Sequence, residues 1–149
     1  MGELKDRLRD ETVAAMKAGE KVRVSALRML SAAVTNREKE LRHELSDDEL
    51  REVAAKEVKK RAESIEAFDG AGRTDLADKE RAEREVLAPY APAQMDEAEL
   101  DAIIDAAIAA TGATSAQEMG KVMGQVMAKA KGRVDGGVVQ AKVRARLGG

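Results

Sequence analysis

Both prolines of the chain fall within one four-residue stretch, Pro89-Tyr90-Ala91-Pro92. A proline lacks a backbone N–H and disfavours helix in the residue before it. On either side of that stretch, leucine, valine, isoleucine, methionine and alanine recur at helical spacing. Punctuation and periodicity together predict an all-α fold: a four-helix N-terminal domain over 1–92, then a small three-helix C-terminal domain over 93–149. Aromatics make up only 1% of the residues, Phe68 and Tyr90, so the core must be aliphatic. The apolar share of 44% is enough for such a core despite 36% charged residues.

Local signals refine the picture. Leu4, Leu8, Ala15 and Met16 share one side of a first helix that Gly19 should stop. A second helix is expected over about Lys21 to Arg42. Ser46 with Glu49 three residues later reads as a capping box for the third, with Leu45 and Leu50 placed as a hydrophobic staple. In that helix Arg61 interrupts an apolar stripe, and in the fourth, for which Thr74 is the expected cap, Glu83 does the same. A lone charge in such a place is costly, so Arg61 is expected to meet Glu80 or Glu83 across two packed helices. Beyond the prolines, Asp96 should cap a helix carrying Leu100, Ile103, Ile104, Ala107 and Ile108, with Gly112 as its stop. Ser115 with Glu118 reads as a second capping box, and Asp135 as the cap of a last helix bearing Val139, Val143 and Leu147.

Several chemistries are excluded by composition. Cysteine is absent, which removes disulfides, thiolate metal sites and a thiol glutaminase, and fits a reducing, cytoplasmic setting. No apolar run approaches the ~18–20 residues of a membrane span, and the start MGELKD offers no apolar stretch for a signal peptide. The single histidine, His43, sits at a helix end and reads as solvated. No serine lies in a nucleophile-elbow pattern, and the acidic SDDELRE lacks the spacing and glycine of a calcium loop. No catalytic residue, metal or cofactor is therefore expected.

Charge is unevenly spread. Residues 1–95 carry 19 bases and 21 acids, residues 96–110 five acids and no base, and residues 111–149 seven bases against two acids. The basic end contains MGKVMGQVMAKAKGRVDGG, Met119 to Gly137. Its glycines fit neither a P-loop nor a dinucleotide turn, and no strand precedes them. They repeat with period four: Gly120 and Gly124 lie beside Met119, Met123 and Met127 on one helix. A glycine in a helix costs about 1 kcal/mol against alanine, so two in successive turns need a reason. Close approach of a neighbouring helix is expected; the alternative is a ligand or RNA backbone reaching the peptide. The methionines read as core, or as an adaptable groove for a protein partner. Lys129, Lys131 and Arg133 close the helix where its dipole favours cations. The turn from Gly132 to Gly137 then opens a helix N-terminus that can receive an anion.

The ordered motifs LKDRLRDETVAAMKAGEKVRVSALRMLSAAVTNREKE, KKRAESIEAFDGAGRTDLADKERAEREVLAPYAPAQM and MGKVMGQVMAKAKGRVDGGVVQAKVRARL resemble the YqeY family over nearly the whole chain. That family is similar to the C-terminal tail of GatB, the B subunit of the tRNA-dependent amidotransferase. The resemblance implies a module that binds tRNA, or a tRNA-bearing amidotransferase or synthetase complex, with neither membrane nor DNA as partner. It places Lys121, Lys129, Lys131 and Arg133, with the backbone near Gly132 and Gly136, on the tRNA-facing side. It also implies the family label of carbon–nitrogen ligase activity with glutamine as amido-N-donor. A protein–protein adaptor without a nucleic-acid role is the alternative.

Overall fold

A computed structural model describes residues 2–130 and 133–148. Among them are seven α-helices and no strand: α1 Glu3–Ala18, α2 Lys21–Leu41, α3 Asp47–Gly70, α4 Thr74–Leu87, α5 Glu97–Thr111, α6 Met119–Ala130 and α7 Gly136–Arg146. Short 3₁₀ turns cover Ala88–Tyr90 and Ala116–Glu118. The chain divides into two units, residues 1–92 and 93–149.

In the first unit the helix ends are built by specific bonds. Gly19 takes the left-handed region (φ 72°), and the N–H groups of Gly19 and Glu20 return to the carbonyls of Met16 and Ala15. This pair of bonds is a Schellman close. Gly2 brings no side chain to the start of α1, and Asp47 from the start of α3 serves instead, accepting from Leu4 N–H at 3.2 Å. A Cβ on Gly2 would come within 2.6 Å of that carboxylate oxygen, so glycine permits the approach. Ser46 and Glu49 form the reciprocal capping box of α3, at 3.0 and 3.2 Å. Glu38 ties the corner together by accepting from Lys5 and from the Leu45 N–H. These bonds hold α1, α2 and α3 around a core of Leu4, Leu8, Leu27, Leu30, Leu50 and Leu87.

Two expectations about helix ends need correction, those for Thr74 and Ser115. Thr74 is the first residue of α4, not its cap; Arg73 stands at the cap position without a side-chain bond. Ser115 makes no cap bond, because a 3₁₀ turn intervenes before α6 and Glu118 accepts from the Thr114 N–H instead. Helix α2 stops at Leu41, since Arg42 turns into the left-handed region (φ 61°), where glycine would ordinarily sit.

The charged interruptions of α3 and α4 lie inside the first unit. Arg61, Glu57 and Glu83 are buried, at 3%, 6% and 5% exposure. Arg61 Nη1 donates to the Glu57 carbonyl at 2.9 Å and to its carboxylate at 3.2 Å. Arg61 Nε lies 3.4 Å from Glu83 Oε2, and Nη2 reaches the sulfur of Met29 at 3.3 Å. Glu80, one turn away and partly exposed, forms no ion pair among the described residues. A second, partly buried polar knot lies elsewhere in the unit. The Tyr90 hydroxyl donates to Glu11 at 2.6 Å, and Glu11 is also bridged by Arg7 and Arg23.

The second unit packs α5, α6 and α7 around Leu100, Ile104, Val122, Val126, Val139 and Val143. Asp96 caps α5 through the Glu99 N–H at 2.7 Å, and Asp135 caps α7 through the Gly137 N–H at 2.8 Å.

Candidate nucleic-acid interface

Helix α6 buries one narrow face and offers another. Val122, Val126 and Ala130, four residues apart, enter the core of the second unit. Met119, Met123 and Met127 flank that seam, partly buried and packed on the same core. The opposite face carries two parallel rows. Gly120, Gly124 and Ala128 form one, and Lys121, Gln125 and Lys129 the other, and all six are exposed.

This overturns the expectation that the glycines admit a neighbouring helix. A Cβ added to Gly120 or Gly124 would meet nothing within 4 Å. Among the described residues their small size is not used for packing; it leaves bare backbone on the surface. Lys121 and Lys129 stand beside that strip and form no ion pair among the described residues. Being eight residues apart, they are separated by about 12 Å along the helix axis.

The cations further along are differently placed. Arg133 is anchored on the acidic helix α5, with its guanidinium on both carboxylate oxygens of Glu99 at 3.1 and 3.2 Å. Its Nε also donates to the Ala93 carbonyl at 2.9 Å, and its own carbonyl accepts from the Met95 N–H. Gly136 is the first residue of α7, and the nearby Asp135 carboxylate already takes the anion position at that helix end. Lys131 and Gly132 lie outside the described residues.

A family model described as Yqey-like protein matches residues 5–147. The chain belongs to the YqeY family. It is also similar to altered inheritance of mitochondria protein 41, mitochondrial, of Pyrenophora tritici-repentis (strain Pt-1C-BFP), at 33% identity over 100 residues. That alignment covers 66% of this chain and 55% of the relative, so the chain spans little more than half of that protein's length.

In this YqeY-family chain, the acidic run of α5 has a clear structural use. Lys142 reaches Glu97 and Asp101 at 2.9 and 3.0 Å, and Arg146 reaches Asp101 and Asp105 at 3.3 and 3.2 Å. The hydrogen bond from Lys142 holds the Asp101 carboxyl below its usual range, while bonds to Glu97 and Asp101 raise the Lys142 ammonium. Three basic residues of the C-terminal unit thus lock α7 and the turn before it onto α5. Of the cations described in this unit, Lys121 and Lys129 on α6 and Arg144 on α7 form no ion pair among the described residues. Among those residues there is also no cluster of three or more metal-ligating side chains and no helix long and apolar enough to cross a membrane.

Proposed function

We propose that the chain is a tRNA-binding accessory module that lays the exposed face of α6 against the RNA backbone. The observation that carries this reading is the pairing of bare peptide at Gly120 and Gly124 with two uncommitted ammonium groups, Lys121 and Lys129. Lysines supply counterion-releasing phosphate contacts, and the glycine row lets a sugar-phosphate chain approach the helix closely. An RNA duplex presents backbone and 2′-hydroxyls more than base edges, so this contact reads shape. The YqeY resemblance to the GatB tail selects tRNA, free or within an amidotransferase or synthetase complex, as the RNA. Carbon–nitrogen ligase activity with glutamine as donor then belongs to the assembly, with this chain contributing RNA contact. Arg133 acts here by fixing the turn after α6 rather than by touching phosphate. The adaptor alternative loses its groove on this unit, because Met119, Met123 and Met127 pack against the core.

The test is tRNA affinity of the double variant Lys121→Glu/Lys129→Glu at two salt concentrations. Affinity should drop, and the slope of log K against log salt should shrink by about 0.7–0.9 for each phosphate deprived of its lysine. Gly124→Leu should weaken binding without changing charge. Unchanged affinity and slope in the double variant would refute the interface.

A further inference from the structure

We propose that the groove between the end of α1 and the start of α2 docks an acidic amphipathic segment of a partner protein. The groove is open, about 640 Å³ in volume, and its apolar lining is Met16, Val24, Met29 and Ala32, with Lys21 and Arg28 as its charged members. No carboxylate lines it among the described residues. Met16 and Met29 are 51% and 47% exposed, the two most exposed of the large apolar side chains among the described residues of the first unit. Methionine is flexible and polarizable, and suits a surface that must adapt to a partner's side chains.

Charge selects the occupant. From Met16 to Ala32 the chain carries Lys17, Lys21, Arg23 and Arg28 against the single acid Glu20. Arg23 is committed to Glu11 at 3.3 Å, whereas Lys17, Lys21 and Arg28 form no ion pair among the described residues. Arg28 rests its guanidinium on the Met16 sulfur at 3.6 Å, above the apolar floor. The floor in turn rests on a buried cation, since the Met29 sulfur lies 3.3 Å from Arg61 Nη2. An RNA backbone would pair with Lys21 and Arg28 but leave Met16 and Met29 wet. A neutral apolar helix would cover the methionines and leave both cations unpaired. A helix with leucines on one stripe and carboxylates beside it satisfies both demands. This surface lies in the first unit and stands independently of the α6 reading.

The full chain, labelled with ¹³C at its methionine methyls, provides the test. It is titrated with a synthetic amphipathic peptide of about 16 residues, long enough to hold helix, bearing leucine at helical spacing and flanking glutamates. Parallel titrations use the same peptide with lysine for glutamate, and an RNA hairpin. The acidic peptide should move the Met16 and Met29 signals and leave those of Met119, Met123 and Met127 in place. Lys21→Glu/Arg28→Glu should weaken it by about tenfold or more, and Met29→Gln, which keeps both cations, should weaken it too. An unperturbed remainder of the methyl spectrum shows that each variant is folded. Silence at Met16 and Met29, equal binding of the lysine peptide, a response to the RNA hairpin instead, or full affinity in Met29→Gln would overturn the proposal.

Discussion

Removing Arg61 should unravel the first unit far more than removing all three members of its buried cluster. Arg61, Glu57 and Glu83 are each at least nine-tenths buried, and Arg61 is the cation that faces both carboxylates. In Arg61→Met the aliphatic stem is roughly preserved, so packing loss is small. What remains is two buried carboxyl groups without that cation, with only the exposed Lys60 still reaching Glu57 at 3.1 Å. Breaking a buried pair from one side typically costs about 3–5 kcal/mol, because the stranded charge keeps its desolvation penalty. That is a large fraction of the roughly 5–15 kcal/mol by which a domain is held. The triple variant Glu57→Leu/Arg61→Met/Glu83→Leu strands nothing and should lie close to the parent, or be more stable by up to about 4 kcal/mol. Arg61 Nε, buried with no hydrogen-bond partner, points to the same outcome, since one donor already forgoes its bond in the native state. Urea unfolding followed by circular dichroism at 222 nm measures both variants, with constant m confirming that midpoint shifts report stability. If Arg61→Met lies within about 1 kcal/mol of the parent, or the triple variant is the worse of the two, the cluster is not the high-cost element described.

Other perturbations have smaller, separable outcomes. Tyr90→Phe removes a charge-assisted bond to Glu11 and should cost about 1.5–3 kcal/mol in chemical denaturation. The Tyr90 phenol is pushed up by burial and then by the Glu11 carboxylate, so its proton leaves the unfolded chain first. Its contribution is therefore complete below about pH 10 and declines as pH rises, a slope that Tyr90→Phe should flatten. The Asp101 carboxyl, held low first by its bond from Lys142, works in the opposite sense. Its stabilisation of the second unit is present above the unfolded carboxylate range and is lost as pH falls through the lower folded value, and Asp101→Asn should remove that acid-side slope. Ser46→Ala dismantles the capping box of α3 and should cost about 0.5–2 kcal/mol, read from the same urea curves. Arg42→Gly should raise the midpoint slightly, because a left-handed non-glycine residue gives up about 1–2 kcal/mol, partly offset by the added freedom of glycine when unfolded.

How much of this was legible beforehand depends on whether a feature is local. Ser46 with Glu49, Asp96 and Asp135 work within three residues of themselves, and their bonds follow from spacing alone. Ser115 with Glu118 carries the same spacing and fails, because the turn it would cap forms as 3₁₀ before α6 begins. Gly120 and Gly124 show the other kind of limit. Period four puts them on one row, but only the placement of Val122 and Val126 in the core decides that this row faces outward. Charge is the least local property of all. Counted along the chain, residues 111–149 form a basic end with net +5, and the five acids of 96–110 look like a separate acidic rod. Folded, α5 lies against α6 and in reach of α7, so Glu99, Glu97, Asp101 and Asp105 become the partners of Arg133, Lys142 and Arg146. A linear basic run therefore overstates the cations available to a polyanion, and the surplus left after internal pairing marks where one can bind. Among the described residues, that surplus on α6 is Lys121 and Lys129 beside bare backbone, and on the first unit it includes Lys21 and Arg28, which stand beside exposed methionine. The same sign of charge next to two different neighbours is the ground on which we propose phosphate for one surface and a carboxylate-bearing helix for the other.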